Sequence, residues 1–98
     1  MQALGFVEIT GVAAGVDALD IMCKSADVEF VTWERKLGGR LVTIIVTGSV
    51  AAVTAAVENA SKRAIKKPVC CAVIGSPHEE TWRLVNLSAS RLKKQGRL

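Results

Sequence analysis

The chain has 98 residues, which suffices for one domain and leaves no room for two. Half of the residues are apolar, but Phe6, Phe30, Trp33 and Trp82 are the only aromatics, so the core must be built from Val, Ala, Leu and Ile, and such a small domain gains from association with copies of itself. The net charge of +4 keeps acidic partners open; three cysteines, an odd number with two adjacent, exclude a disulfide framework and point to a reducing cytoplasm.

Taken in chain order, Ala3 to Thr10 predicts a strand, with Leu4, Phe6 and Val7 apolar and Glu8 partly exposed. No charged, apolar leader of signal-peptide type is expected from Met-Gln-Ala-Leu-Gly. Gly11 punctuates. Val12 to Ser25 then predicts a helix whose apolar stripe is Val12, Val16, Leu19 and Cys23, with Asp20 and Lys24 forming a favourable i,i+4 pair. Val28 to Arg35 alternates as a strand, placing Val28, Phe30 and Thr32 on one face and Glu29, Val31 and Trp33 on the other.

A loop, Lys36-Leu37-Gly38-Gly39-Arg40, follows, and Leu41 to Thr47 reads as the second arm of a hairpin, nearly all β-branched. Ser49 is placed to cap a helix over Val50 to Lys66, with Val53, Val57 and Ile65 on one stripe. Pro68 ends that segment. Val69 to Ile74 predicts a short buried strand, which would bury the Cys70 and Cys71 thiols. His78 to about Lys94 predicts a final helix, capped by Ser76, with Trp82, Val85, Leu87 and Leu92 apolar and with Glu79 and Glu80 at its positive end.

The order is β-α-β-β-α-β-α. Its first six elements are the split βαβ of the α+β, ferredoxin-like class: an antiparallel sheet with two helices on one face, here with an extra C-terminal helix. The whole chain is read as one domain, with a core over about 3–85 and a basic C-terminal tail over 86–98.

No catalytic constellation accompanies this fold. His78 is the only histidine and has no converging ligands in the sequence, Cys70-Cys71 lacks CxxC spacing, and there is no GxSxG elbow, P-loop or dinucleotide fingerprint. The expectation is a protein without enzymatic activity, cofactor or metal. Two features remain to be explained. Arg91, Lys93, Lys94 and Arg97 crowd the C-terminal end, where they suit either a helix dipole or an acidic partner. Arg35, Lys36 and Arg40 surround Gly38-Gly39, where exposed backbone and positive charge suit either a solvated hairpin or an anion.

Four separated blocks carry a resemblance. "MQALGFVEITG", "AGVDALDIMCKSADVEFVTWE", "GGRLVTIIVTGSVAAVTAAVENA" and "AVIGSPHEE", in that order and from about Ala3 to about Val85, are similar to the bacterial microcompartment shell proteins of the single-domain, hexamer-forming type. The resemblance implies a flat homohexamer that tiles edge to edge, with other shell proteins, around encapsulated enzymes. It implies that Lys36, Leu37, Gly38, Gly39 and Arg40 line a central pore for small polar or anionic metabolites. It places Lys24, Pro77 and His78 at the hexamer edge. The loop departs from the commonest family sequence, Lys-Ile-Gly-Ser-Gly, by one extra residue and the lack of the serine. Ser76 stands where the family often has arginine.

Two other classes share the fold. One is a small nucleic-acid-binding module resting on the basic tail, which lacks exposed aromatics for stacking bases. The other is a regulatory domain that binds a ligand at the glycine loop. No stretch is long enough and sufficiently free of charge to span a membrane.

Overall fold

The computed structural model describes residues 2–95. Four strands, β1 (Ala3–Ile9), β2 (Glu29–Lys36), β3 (Leu41–Gly48) and β4 (Cys70–Ile74), form one sheet in the order β2-β3-β1-β4. Every neighbouring pair is antiparallel. Three helices, α1 (Val12–Ser25), α2 (Val50–Arg63) and α3 (Glu79–Lys94), complete the chain. The expected ferredoxin-like arrangement with an added C-terminal helix is the one found.

The sheet is covered on both faces, and its central strands are therefore apolar on both. Val7, Val42, Ile44 and Val46 pack on one face with Ala18 and Met22 of α1 and Val53, Ala56 and Val57 of α2. Leu4 and Ile45, which alternate with them, pack on the other face with Val85 of α3, and Phe6, Val31 and Trp82 close that smaller cluster. Period-two alternation thus feeds two cores rather than one core and solvent.

Several local expectations are corrected. The buried stripe of α1 is Ala14, Gly15, Ala18 and Met22; of the expected stripe Leu19 packs partly buried against the core, while Val12, Val16 and Cys23 are exposed. Val16 is 50% exposed and Cys23 is exposed, because small residues let the helix lie close to the sheet while the valines face outward. The alternation of β2 is broken by a bulge between Phe30 and Thr32. One extra residue there sends Phe30 to the α1/α2 core and Thr32 to α3, so the two do not share a face. The helix α2 stops at Arg63, short of Lys66. The Asp17 carboxylate accepts the Ile65 backbone N–H at 2.9 Å, drawing the chain off the helix and leaving Ile65 67% exposed rather than on the buried stripe with Val53 and Val57.

The strand β4 is not buried. It is the sheet edge beside β1, and Cys70, Cys71, Ala72 and Val73 are all exposed. The cysteines are therefore accessible rather than core thiols. Finally, α3 is capped by His78, whose Nδ1 accepts the Glu80 backbone N–H at 3.0 Å, and not by Ser76. Ser49 does cap α2, accepting the Ala52 N–H at 3.1 Å. The helix α3 continues to Lys94, so most of the segment read as a basic tail is helical; Arg97 lies outside the described residues.

Candidate functional site

The loop between β2 and β3 is a single tight turn over Leu37–Gly39. Three consecutive residues take positive φ: Leu37 at 55°, Gly38 at 68° and Gly39 at 88°. Gly38 and Gly39 are at ease there; a leucine is not, because its Cβ crowds the carbonyl in the left-handed region. The loop is held in two ways. The Arg40 Nε donates to the Leu37 carbonyl at 2.9 Å, and the Gly11 N–H donates to the Arg40 carbonyl at 3.2 Å, tying the turn to the entry of α1. Lys36, Leu37, Gly38 and Arg40 are exposed, and Leu37 is 66% so. Arg40 thus supports the turn through one nitrogen and leaves its two terminal nitrogens to solvent.

Immediately before the loop, β2 is locked to α3 by a buried polar relay that joins residues more than fifty positions apart. The Thr32 hydroxyl lies 3.0 Å from that of Ser88, and the Ser88 hydroxyl donates to Glu34 Oε2. A hydroxyl has one proton, so the order is Thr32 to Ser88 to Glu34. Thr32 is fully buried and Ser88 nearly so. Replacing Ser88 with alanine is expected to lower stability by about 1–3 kcal/mol, since the Thr32 hydroxyl loses its acceptor and the carboxylate its donor. Urea unfolding reads this, with exposed Ser90→Ala as the control that leaves the midpoint unmoved.

A cleft of about 660 Å³ opens between these elements, bounded by the end of β2, the glycine loop and the last turns of α3. Arg35, Lys36 and Arg91 line it together with Glu34. The Arg35 guanidinium sits over the Trp33 ring, 5.3 Å from its centroid, on the α1/α2 face of the sheet, while on the α3 face Arg91 approaches Glu34 Oε2 to 3.9 Å. Sequence reasoning found the loop cations but not this cleft. Arg91 reaches it through a tertiary contact that no local spacing announces.

The residues expected at an edge lie outside the loop, Lys24 on α1 and the adjacent pair Pro77-His78 at the start of α3. Lys24 lies in the last turn of α1 and pairs with Asp20 at 2.8 Å, which holds its ammonium above the ordinary lysine value. The pair is exposed and adds little to stability. Pro77 is fully buried, so within the chain it fixes the entry into α3, while exposed His78 caps that helix. The helices carrying Lys24 and His78 lie on opposite faces of the sheet.

The other candidate chemistry stays quiet. Partial burial, and then the neighbouring Cys70, push the Cys71 thiol up, the opposite of what a nucleophile requires. Among the described residues no group of three His, Cys, Asp or Glu is placed to hold a metal, and no helix is long and apolar enough to cross a membrane. A base-stacking surface is also missing on the α3 face of the sheet, since α3 packs over Leu4, Ile45 and Val31 there.

Comparison with known proteins bears on what remains. The BMC domain model matches residues 3–77. The chain is 41% identical over 86 residues to the bacterial microcompartment shell protein PduA of Citrobacter freundii, covering 86% of this chain and 91% of that one. It is 36% identical over 91 residues to the carboxysome shell protein CsoS1C of Hydrogenovibrio crunogenus, covering 90% of this chain and 88% of that one. In fold it is similar to the crystal structure of a microcompartments protein from Desulfitobacterium hafniense DCB, with a TM-score of 0.77 at 24% identity, over 90% of this chain and 48% of that chain. The chain therefore spans about half the length of that structure. The family model and these relatives together show that the chain belongs to the BMC domain family of bacterial microcompartment shell proteins.

Proposed function

We propose that copies of this chain close into a flat homohexamer that tiles with other shell proteins around encapsulated enzymes, and that residues 36–40 line its central pore. The observation that carries this reading is the bare edge of the sheet. Cys70, Cys71, Ala72 and Val73 are exposed and uncharged, and Val69 beside them is 61% exposed. A lone domain leaves such an edge short of partners; a ring covers it with an identical neighbour, repeating one contact around an axis. Exposed Val12, Val16 and Val50 add apolar surface for the same purpose. Electron microscopy of the purified full chain is the test. Hexameric rings or hexagonal sheets are expected, and a monomer at every concentration would sink the reading.

A ring gathers six copies of the loop around one axis. Six Arg40 guanidinium groups with free terminal nitrogens repel one another unless anions or water sit among them, so the pore favours small polar or anionic metabolites over cations. Uptake of a labelled anion into assembled shells is expected to fall several-fold with Arg40→Ala. Arg40→Lys, which keeps the charge and loses the Nε tie to Leu37, should hold most of the flux. Equal uptake by Arg40→Ala and the parent would refute the charge argument.

A further inference from the structure

We propose that His78 is a pH-sensitive latch on α3: acid opens the first turn of that helix and loosens Trp82 from the sheet. One chain carries the device, so it stands or falls apart from closure of a ring.

The latch is a hydrogen bond that only a neutral ring can accept. The His78 Nδ1 accepts the Glu80 N–H at 3.0 Å. A neutral imidazole whose Nδ1 accepts carries its one proton on Nε2. Once the ring is protonated both nitrogens donate, and Nδ1 meets the Glu80 N–H donor to donor. The new positive charge also lies at the N-terminal end of α3, where the aligned peptide dipoles already place positive charge. His78 is exposed, so its ring exchanges protons with solvent. It is the only histidine of the chain, and histidine is the side-chain type that changes charge in the range of pH 5 to 8. The capped turn requires the neutral ring, so acid favours the open turn and the cap is lost as pH falls through that range.

The charged groups around the ring do not cancel this effect. Among the described residues they are Glu79, Glu80 and Arg83, all on α3. Glu80 is engaged, because Arg83 donates to its Oε1 through two bonds of 3.0 and 2.8 Å. Glu79 is left to attract an imidazolium, but it is exposed, where such pairs contribute little. Gln2 and Ser76, which line the same concavity from outside the helix, carry no charge.

The surroundings confine the motion to one turn. Pro77 is fully buried and anchors the chain before the cap. Further along, α3 is held by the Ser88 contacts to Thr32 and Glu34. Between these anchors the His78 carbonyl accepts the Thr81 N–H at 2.9 Å and the Trp82 N–H at 3.1 Å, so Trp82 closes the same turn that the ring caps. Trp82 packs partly buried against Leu4, Ile45 and Val85. It also borders a concavity of about 1020 Å³ shared with His78, which gives a loosened turn open space to enter.

The test is urea unfolding of the full chain at about pH 7.5 and about pH 5, at one protein concentration, beside His78→Asn and His78→Ala. Asparagine caps a helix at either pH, because its amide does not titrate. On acidification the folding constant of the parent should fall about fivefold further than that of His78→Asn, the usual worth of a cap. His78→Ala should be weaker than the parent at the higher pH and nearly match it at the lower. Acrylamide quenching of Trp82, followed in a Trp33→Phe background, should rise as pH falls and stay flat once His78→Asn is added. Equal pH dependence of the parent and His78→Asn, His78→Ala as stable as the parent at the higher pH, or Trp82 quenching that ignores pH would each overturn the proposal. Hexagonal sheets under the electron microscope are a separate readout, so a failure here is distinguishable from a failure of the shell reading.

Discussion

Replacing Gly5 with alanine is expected to destabilise the protein by about 1–3 kcal/mol, the usual cost of overpacking a filled core. Gly5 lies in the middle of β1, opposite Val46 of β3 and Val73 of β4. A methyl group there would stand 2.6 Å from Val53 Cγ1, 3.1 Å from Val57 Cγ2 and 3.2 Å from Val46 Cγ2. The first of these is far inside van der Waals contact. Valine in a helix has essentially one χ1 rotamer, so Val53 cannot turn aside and α2 must move as a whole. At constant protein concentration, the urea midpoint should fall with an unchanged slope. The pair Gly5→Ala with Val53→Ala should be less unstable than the two single losses added together, because the second change removes the atoms with which the first collides. Simple additivity would show that the helix does not rest on Gly5.

Ile44→Ala is expected to cost more, about 2–5 kcal/mol. Ile44 is fully buried on β3, paired with Val7 on one side and Trp33 on the other. Gly15 of α1 lies over it, and the site of a Cβ there is 3.8 Å from Ile44 Cδ1. A glycine has no side chain to lean into the space that Ile44 vacates, so the cavity persists and the upper part of the range applies. For a domain of this size each kcal/mol corresponds to roughly 4–8 °C in the melting temperature, so calorimetry will resolve it easily. A shift equal to that of an exposed Ile65→Ala control would contradict the packing described.

The two predictions rest on different sources of information. Ile44 stood in the sequence as part of an almost unbroken β-branched run, and the strand it predicts is present at Leu41–Gly48. The order of elements was legible for the same reason: turns, Pro68 and Ser49 divide the chain where the periodicity changes. Faces were harder to read. Val12 and Val16 look like a core stripe, yet the small residues Ala14, Gly15 and Ala18 are buried instead, because close approach of helix to sheet selects for small volume rather than greasiness. The bulge beside Val31 is a single added residue with no sequence mark, and everything after it changes face. Cys70 to Ile74 has the composition of a central strand, and only the sheet order reveals that it is an edge.

The loop belongs to the legible part and the cleft beside it does not. Gly38-Gly39 between cations is a local signal. The Ser88–Glu34 and Arg91–Glu34 contacts join positions 54 or more apart, and a Ser or an Arg on a helix face announces no partner. His78 shows the same limit on a smaller scale: Ser76 is the better cap by residue type, but the buried Pro77 sets the chain so that His78 occupies the cap position.

The uncovered strand β4 also bears on the life of a newly made subunit. Five residues without charge, Cys70–Ile74, present backbone that any extended segment can join. Whichever strand arrives first decides the outcome, and a correct copy competes with every misregistered one. If the proposed ring forms through this edge, capture depends on how many identical chains are within reach when one finishes folding. In the proposed ring, a subunit still alone would display its own evidence of being surplus, and would lose that mark on joining a neighbour.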